Sequence, residues 1–266
     1  MQRVVRKLLR AVAGYDPSYY DMHDDPNEAF FAQLYLQRIL SHADAAGIRP
    51  PATVLEAGCQ AGRLAVPLAK RGFRVTGIDT SAFALGRARR HLSDAGVAAT
   101  LIRGDIAGVL RRRPHVQYDL AICAEVLYLS HQFRATLKAL ADAVRPGGLL
   151  CVSHRLKFYY LLEALRQYDV AVARTVARDS EGVLGAQGYF NWQTPAELRA
   201  LYEGLGLRWL SSYPIDGAVW LSGVNPSQLS HEQRDRWLQL ELELAEESGI
   251  GGRYLLVVAA VPERRR

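Results

Sequence analysis

The chain has 266 residues, 49% of them hydrophobic, which suffices for a well-buried core. Its net charge is +6, carried almost wholly by arginine, and Cys59, Cys123 and Cys151 form no C-x-x-C pair, so neither a metal site nor a disulfide framework is expected. No run reaches the roughly 18 apolar residues of a membrane span, and Met1–Tyr15 lacks the apolar core of a secretory signal, so a cytoplasmic protein with reduced, buried thiols is expected.

In chain order, residues 2–12 place Val4, Val5, Leu8, Leu9 and Val12 at helical spacing between Arg3, Arg6, Lys7 and Arg10. This reads as a short helix docked on the same domain in preference to a membrane-surface helix. A further helix is predicted over 27–45, with Phe30, Leu34, Ile39 and Leu40 near one face. Strands are then expected over 52–57, 73–78, 99–104, 118–123 and 147–153, alternating with helices over 62–71, 81–95 and 132–144. That alternation is the doubly wound α/β pattern. Gly72 suits a C-cap and Ser81 an N-cap. An insertion over 155–194 precedes a helix at 194–204, which Thr194 and Pro195 open. The final strands read as 207–213 and 253–261. Between them a second insertion, about 214–252, carries a helix beginning at Ser230 with Gln233 completing a capping box. Trp237, Leu240 and Leu244 share one face of that helix.

The most informative stretch is Val54-Leu55-Glu56-Ala57-Gly58-Cys59-Gln60-Ala61-Gly62, an apolar strand entering a glycine turn that opens a helix. Asp79 closes the next strand. Strand, turn, helix, strand and acid together hold an adenosine-containing cofactor at the carboxyl edge of a parallel sheet. The glycines are spaced G-x-x-x-G and Glu56 occupies the position of the first dinucleotide glycine. A carboxylate there repels a pyrophosphate but suits a ligand bearing an ammonium and a sulfonium. No phosphate loop G-x-x-x-x-G-K-[ST] is present.

These residues resemble motifs I and II of the class I S-adenosylmethionine (SAM) dependent methyltransferases. Leu101-Ile102-Arg103-Gly104-Asp105-Ile106, the run from Tyr118 to Tyr128, and Val144-Arg145-Pro146-Gly147-Gly148 resemble the next motifs in order. The nearest subgroup is the small-molecule enzymes of the ubiquinone- and biotin-biosynthesis type. The resemblance implies a Rossmann-like α/β domain over 51–266, mostly parallel with an antiparallel last strand, two lid insertions and an N-terminal helical cap over 1–50. It implies SAM as cofactor, with S-adenosylhomocysteine (SAH) as product, and methyl transfer to an O or N atom of a small-molecule acceptor. Glu56, Gly58, Cys59 and Gly62 would hold the methionine part, and Asp79 with Thr80 the ribose. Asp105 would accept from the adenine amino group with Ile106 on the ring face, and Glu125 to Tyr128 would line the floor near the sulfonium. Tyr20 lies in a Tyr-Asp-rich segment that would fold over the cofactor; a turn with packed aromatics reads equally well.

His131 and His154 are the acid/base candidates, each alternatively a scaffold residue. Arg155 reads as an anchor for a substrate carboxylate or phosphate, or as a surface charge. Tyr159, Phe190 and Trp192, in the first insertion, suit a planar substrate or the core of a lid. The Arg clusters 3–10, 87–90, 111–113 and 264–266 admit an RNA or protein acceptor, although no nucleic-acid module is present and a solvated surface is the favoured reading. A third alternative is a non-catalytic SAM-binding partner protein.

Overall fold

The structure is a computed structural model that describes residues 21–184, 188–247 and 251–263. The helix expected over 2–12 and Tyr20 lie outside the described residues. The first described helix, α1 (Pro26–Ala45), is opened by Asp25, whose carboxylate accepts from the N–H groups of Asn27 and Glu28. Strands β1 (Thr53–Ala57), β2 (Arg74–Asp79), β3 (Thr100–Arg103), β4 (Tyr118–Cys123) and β5 (Val144–His154) come next, with helices α2 (Ala65–Lys70), α3 (Ala82–Asp94), α4 (Ile106–Arg111) and α5 (Phe133–Asp142) between them.

The first insertion holds α6 (Lys157–Arg166), α7 (Val170–Arg178) and a separate hairpin of β6 (Glu181–Val183) and β7 (Tyr189–Asn191). After α8 (Pro195–Gly204) and β8 (Arg208–Ile215), the second insertion contributes α9 (Gly217–Ser222) and α10 (His231–Leu244) before β9 (Tyr254–Ala260). The seven-stranded sheet has the order β3-β2-β1-β4-β5-β9-β8, with β9 antiparallel to both neighbours. The expected fold class is therefore observed.

The apolar runs of the strands make sense because both faces are covered. Alternate residues enter opposite cores: Val54, Leu120, Leu149 and Leu256 pack with Phe30, Leu34 and Ile39 of α1, whereas Leu55, Ala121, Leu150 and Val257 pack with α4, α5 and α8. Both insertions leave the sheet where parallel strands end, after His154 and after Ile215, and so gather at the carboxyl edge.

Several expectations shift. α2 starts at Ala65, not at 62, because Gly58 to Leu64 are consumed by the turn. α4 was not foreseen; it exists because the Asp105 carboxylate caps it by accepting from Gly108 N. β5 starts at Val144, which pairs with Tyr118 ahead of a register shift that bulges out residues 145–148. Ser230 and Gln233 form the capping box foreseen, and Thr194 and Glu197 form a second one. On α10 the face shared by Trp237, Leu240 and Leu244 is not the buried one: Leu240 is exposed, and Leu238 and Glu241 are buried. Glu241 turns inward because its two oxygens accept from Gly217 N (2.9 Å) and Val219 N (2.7 Å), buried first-turn donors of α9 that have no partner within the helix. Among the described residues, no helix is long and apolar enough to cross a membrane.

Candidate cofactor and acceptor site

β1 delivers Gly58 to the carboxyl edge with φ +82°. Gly58 N and Cys59 N both donate to Ile78 O, at 2.7 and 3.0 Å, locking the turn to β2. A Cβ on Gly58 would stand 2.3 Å from Val126 Cγ2, so only glycine lets the β4 loop come this close. Asp79 holds the far side of the turn: Oδ2 accepts from Gln60 N (2.9 Å) and Oδ1 from Ser81 N (2.8 Å). A carboxylate oxygen has two lone pairs, so each retains capacity for a ligand.

A cavity of about 360 Å3 opens over this turn, lined by Glu56, Gly58, Cys59, Asp79, Thr80, Ile106, Glu125 and Tyr128 among others. That volume lies within the range of small-molecule sites, roughly 300–1,000 Å3. Glu56 is buried beneath it. Burial pushes its pKa up to about 8, against the opposing effects of Arg63 and of the N–H groups of Leu64 and Ala65. Its Oε2 has no hydrogen-bond partner. An orphaned acceptor on a buried acid is the feature an ammonium group would satisfy. The Cys59 thiol is pushed far up by burial and stays protonated.

Arg63 organises the floor. Its guanidinium is buried, pairs with Glu28 of α1 and with Glu125 (2.9 Å), and lies 5.6 Å from the Tyr35 ring centroid. Burial opposes its charge, but the two acids outweigh that and hold its pKa above the usual value. Glu125 sits at φ +62°, with its N–H donating to Ser153 Oγ at 2.7 Å. Burial would raise its carboxyl, yet Arg63 more than compensates and leaves it below the usual range. For Glu28 burial prevails and the pKa is raised. Sequence reasoning missed Arg63, Glu28, Gln60 and Met22, whose N–H donates to Gln60 Oε1 at 3.1 Å on the cavity rim. The available signal was Arg63 itself, one charge in the apolar run Ala61 to Ala65.

Other expected site residues fall elsewhere. Asp105 is exposed, and its Oδ2 caps α4; Gly104 and Ile106 face the cavity in its place. His154 points into the opposite core. It is 1% exposed, and its Nε2 lies 2.8 Å from Tyr202 Oη. Burial drives its pKa down to about 3, so it is a neutral packing residue and not the acid/base group expected. His131 is exposed and stacked on Tyr189, with ring centroids 3.6 Å apart, and it does not line the cavity. Trp192 and Phe190 also leave the substrate role: both pack around Tyr160 in the core of the lid, where Trp192 Nε1 donates to Asp179 O at 2.6 Å. Tyr128 does line the cavity; Arg155 and Tyr159 do not, but the Arg155 guanidinium lies 4.3 Å from the Tyr128 ring and 4.5 Å from that of Tyr159.

A second cavity of about 360 Å3 lies beyond Glu28, lined by Phe31, Asp216, Trp220 and Arg253. Asp216 is raised to about 7 by burial, with Arg253 opposing. Of the Arg clusters, 3–10 and 264–266 lie outside the described residues. Arg87 is bound to Asp21 and Asp24, tying the loop before α1 to α3.

Comparison with known proteins agrees with this geometry. A family model described as a methyltransferase domain matches residues 54–148. The chain is 32% identical over 193 residues to the ubiquinone biosynthesis O-methyltransferase of Paraburkholderia phytofirmans, covering 69% of this chain and 77% of that one. The enzyme of the same name from Aeromonas salmonicida is 31% identical over 157 residues, 58% of this chain and 62% of that one. Among solved structures, magnesium protoporphyrin IX methyltransferase from Synechocystis PCC 6803 with bound SAH superposes with a TM-score of 0.59 at 18% identity, covering 98% and 99% of the two chains. The [4+2]-cyclase SpnF gives 0.58 at 15%, covering 98% and 93%. At these identities the two structures speak to the fold alone.

Two substitutions separate the floor from the scaffold. Arg63→Ala removes the ion-pair partner that Glu28 and Glu125 share, and is expected to cost about 3–5 kcal/mol in urea unfolding. His154→Ala opens a hole beside Tyr202 and is expected to cost about 2–4 kcal/mol by the same measurement. The pH profile of turnover should be unchanged by it; a lost limb in that profile would return His154 to the chemistry.

Proposed function

Because this chain belongs to the class I SAM-dependent methyltransferases and transfers a methyl group to a small-molecule acceptor, we propose that the receiving atom is a hydroxyl oxygen held on the Tyr128 side of the cavity. The observation that carries the cofactor assignment is the orphaned oxygen of buried Glu56 beneath a glycine turn. The names of the O-methyltransferase relatives support oxygen over nitrogen.

In this reading Glu56 takes the ammonium of the methionine part, while Gly58, Cys59 and Gly62 shape the turn around it. Asp79 takes the ribose hydroxyls through its remaining lone pairs, with Thr80 beside it and Ile106 against the adenine. Glu125, fixed by Arg63 and Ser153, and Tyr128 form the floor under the sulfonium. Bound SAM supplies an already activated methyl group, so alignment of the acceptor is the main task left to the protein. No histidine lines the cavity among the described residues. The floor therefore contributes position and charge, not an imidazole base. Of the N-terminal cap, the described part from residue 21 on brings Met22 to the cavity and Glu28 of α1 to Arg63 on the cofactor side.

The charge state of Glu56 gives a direct test. With a pKa of about 8 it is mostly protonated at pH 7 before ligand binds. An ammonium placed against it favours the carboxylate, so binding releases a proton. Affinity for SAH is then expected to strengthen between about pH 6 and 8, approaching tenfold per unit at the lower end. Titration calorimetry in buffers of different ionisation enthalpy measures the release. Proton uptake, or an affinity independent of pH, removes Glu56 from the ammonium role, and absence of SAH binding removes the cofactor assignment.

A further inference from the structure

We propose that the acceptor carries an oxyanion, a carboxylate or a phosphate, and that Arg155 grips it within a ring of tyrosines. This rests on the methyl-transfer reading above and narrows it to a substrate class. Arg155 follows β5 at the carboxyl edge. Its guanidinium carbon lies 4.3, 4.5 and 4.6 Å from the ring centroids of Tyr128, Tyr159 and Tyr254. One terminal nitrogen donates to Tyr254 Oη, and Nε is buried without a partner.

What is missing is an anion. Arg63 has Glu28 and Glu125, and Arg253 has Asp216, but among the described residues no carboxylate pairs with Arg155. Arg253 lies against the same Tyr254 ring, 5.6 Å from its centroid, with its charge met by Asp216. Tyrosine faces attract a cation but do not neutralise it, and an uncompensated charge withdrawn from water is costly. A guanidinium presents its donors as a planar fork that matches two oxygens of one oxyanion. A ligand group is the natural counterpart.

The position also bears on the rest of the acceptor. Tyr128 lines the cofactor cavity and carries Arg155 on its ring, so the anion site and the methyl site stand one tyrosine apart. An acceptor reaching both has its anion at one end, its nucleophile at the other, and a planar spacer that lies against tyrosine faces.

The test uses the full chain saturated with SAH, titrated with benzoate, phenyl phosphate and, as the neutral control, benzyl alcohol. At least one anion is expected to bind tenfold or more tightly than the alcohol; whichever binds better identifies the anion as carboxylate or phosphate. Arg155→Met should abolish that preference, and Arg155→Lys, which keeps the charge but not the fork, should reduce it several-fold, both with SAH affinity retained. If Arg155→Met does not fold, the Arg155→Lys reduction decides the matter. Equal binding of the three probes, no binding of any at millimolar concentration, or a preference that survives in both variants overturns the proposal. Failure of the wild-type chain to bind SAH would instead sink the methyl-transfer reading on which it rests.

Discussion

The structure turns on one buried cation. Arg63 begins in the glycine turn and ends between two acids from distant parts of the chain, Glu28 on α1 and Glu125 after β4. Each acid would be intolerable in that interior without the guanidinium, and the guanidinium without them. The ion pairs therefore couple helix α1, the turn and the β4 loop to one another. The left-handed backbone at Glu125 and the close approach of Val126 to Gly58 are tolerated because this triad over-determines the corner. The electrostatics that fix the fold thus also shape the cofactor floor.

How much of this could be read in advance depends on the range of the forces involved. The strands, their order along the chain and the caps at Ser81, Thr194 and Ser230 were legible because period, turn chemistry and side-chain capping act over a few residues. Glu56, Gly58 and Asp79 were legible because one turn and one strand end place them. What failed depended on direction. His154 and Ser153 are adjacent, but the pleat sends one into the α8 core and the other to the β4 loop, and the sequence alone does not say which. Asp105 was read as a ligand, and the helix that its Oδ2 caps was not foreseen. Glu28 and Arg253 were invisible because their meaning comes from partners far away in sequence.

The sheet alone would not have settled the chemistry. A methyltransferase and a [4+2]-cyclase superpose on it about equally well. Function lives in sites grafted on folds. Here the decisive features are local: an acid where a dinucleotide site would need glycine, and a cavity lined by Glu56, Asp79 and Glu125 with Tyr128 on its wall. The residues that line the cavity come from segments before residue 130, whereas Arg155, Tyr159 and Tyr254, which gather against Tyr128, come from β5 onward.

The placement of β9 has a consequence for how the chain matures. It is the final described strand, yet it lies inside the sheet, between β5 and β8. Until it arrives, β8 has no neighbour to pair with, and β5 presents an open edge. During synthesis the strands β1 to β5 therefore emerge well before the strand that covers the β5 edge and carries Tyr254. β9 supplies Leu256 and Val258 to one core and Leu255 and Val257 to the other, so a strand far along the chain closes both layers at once.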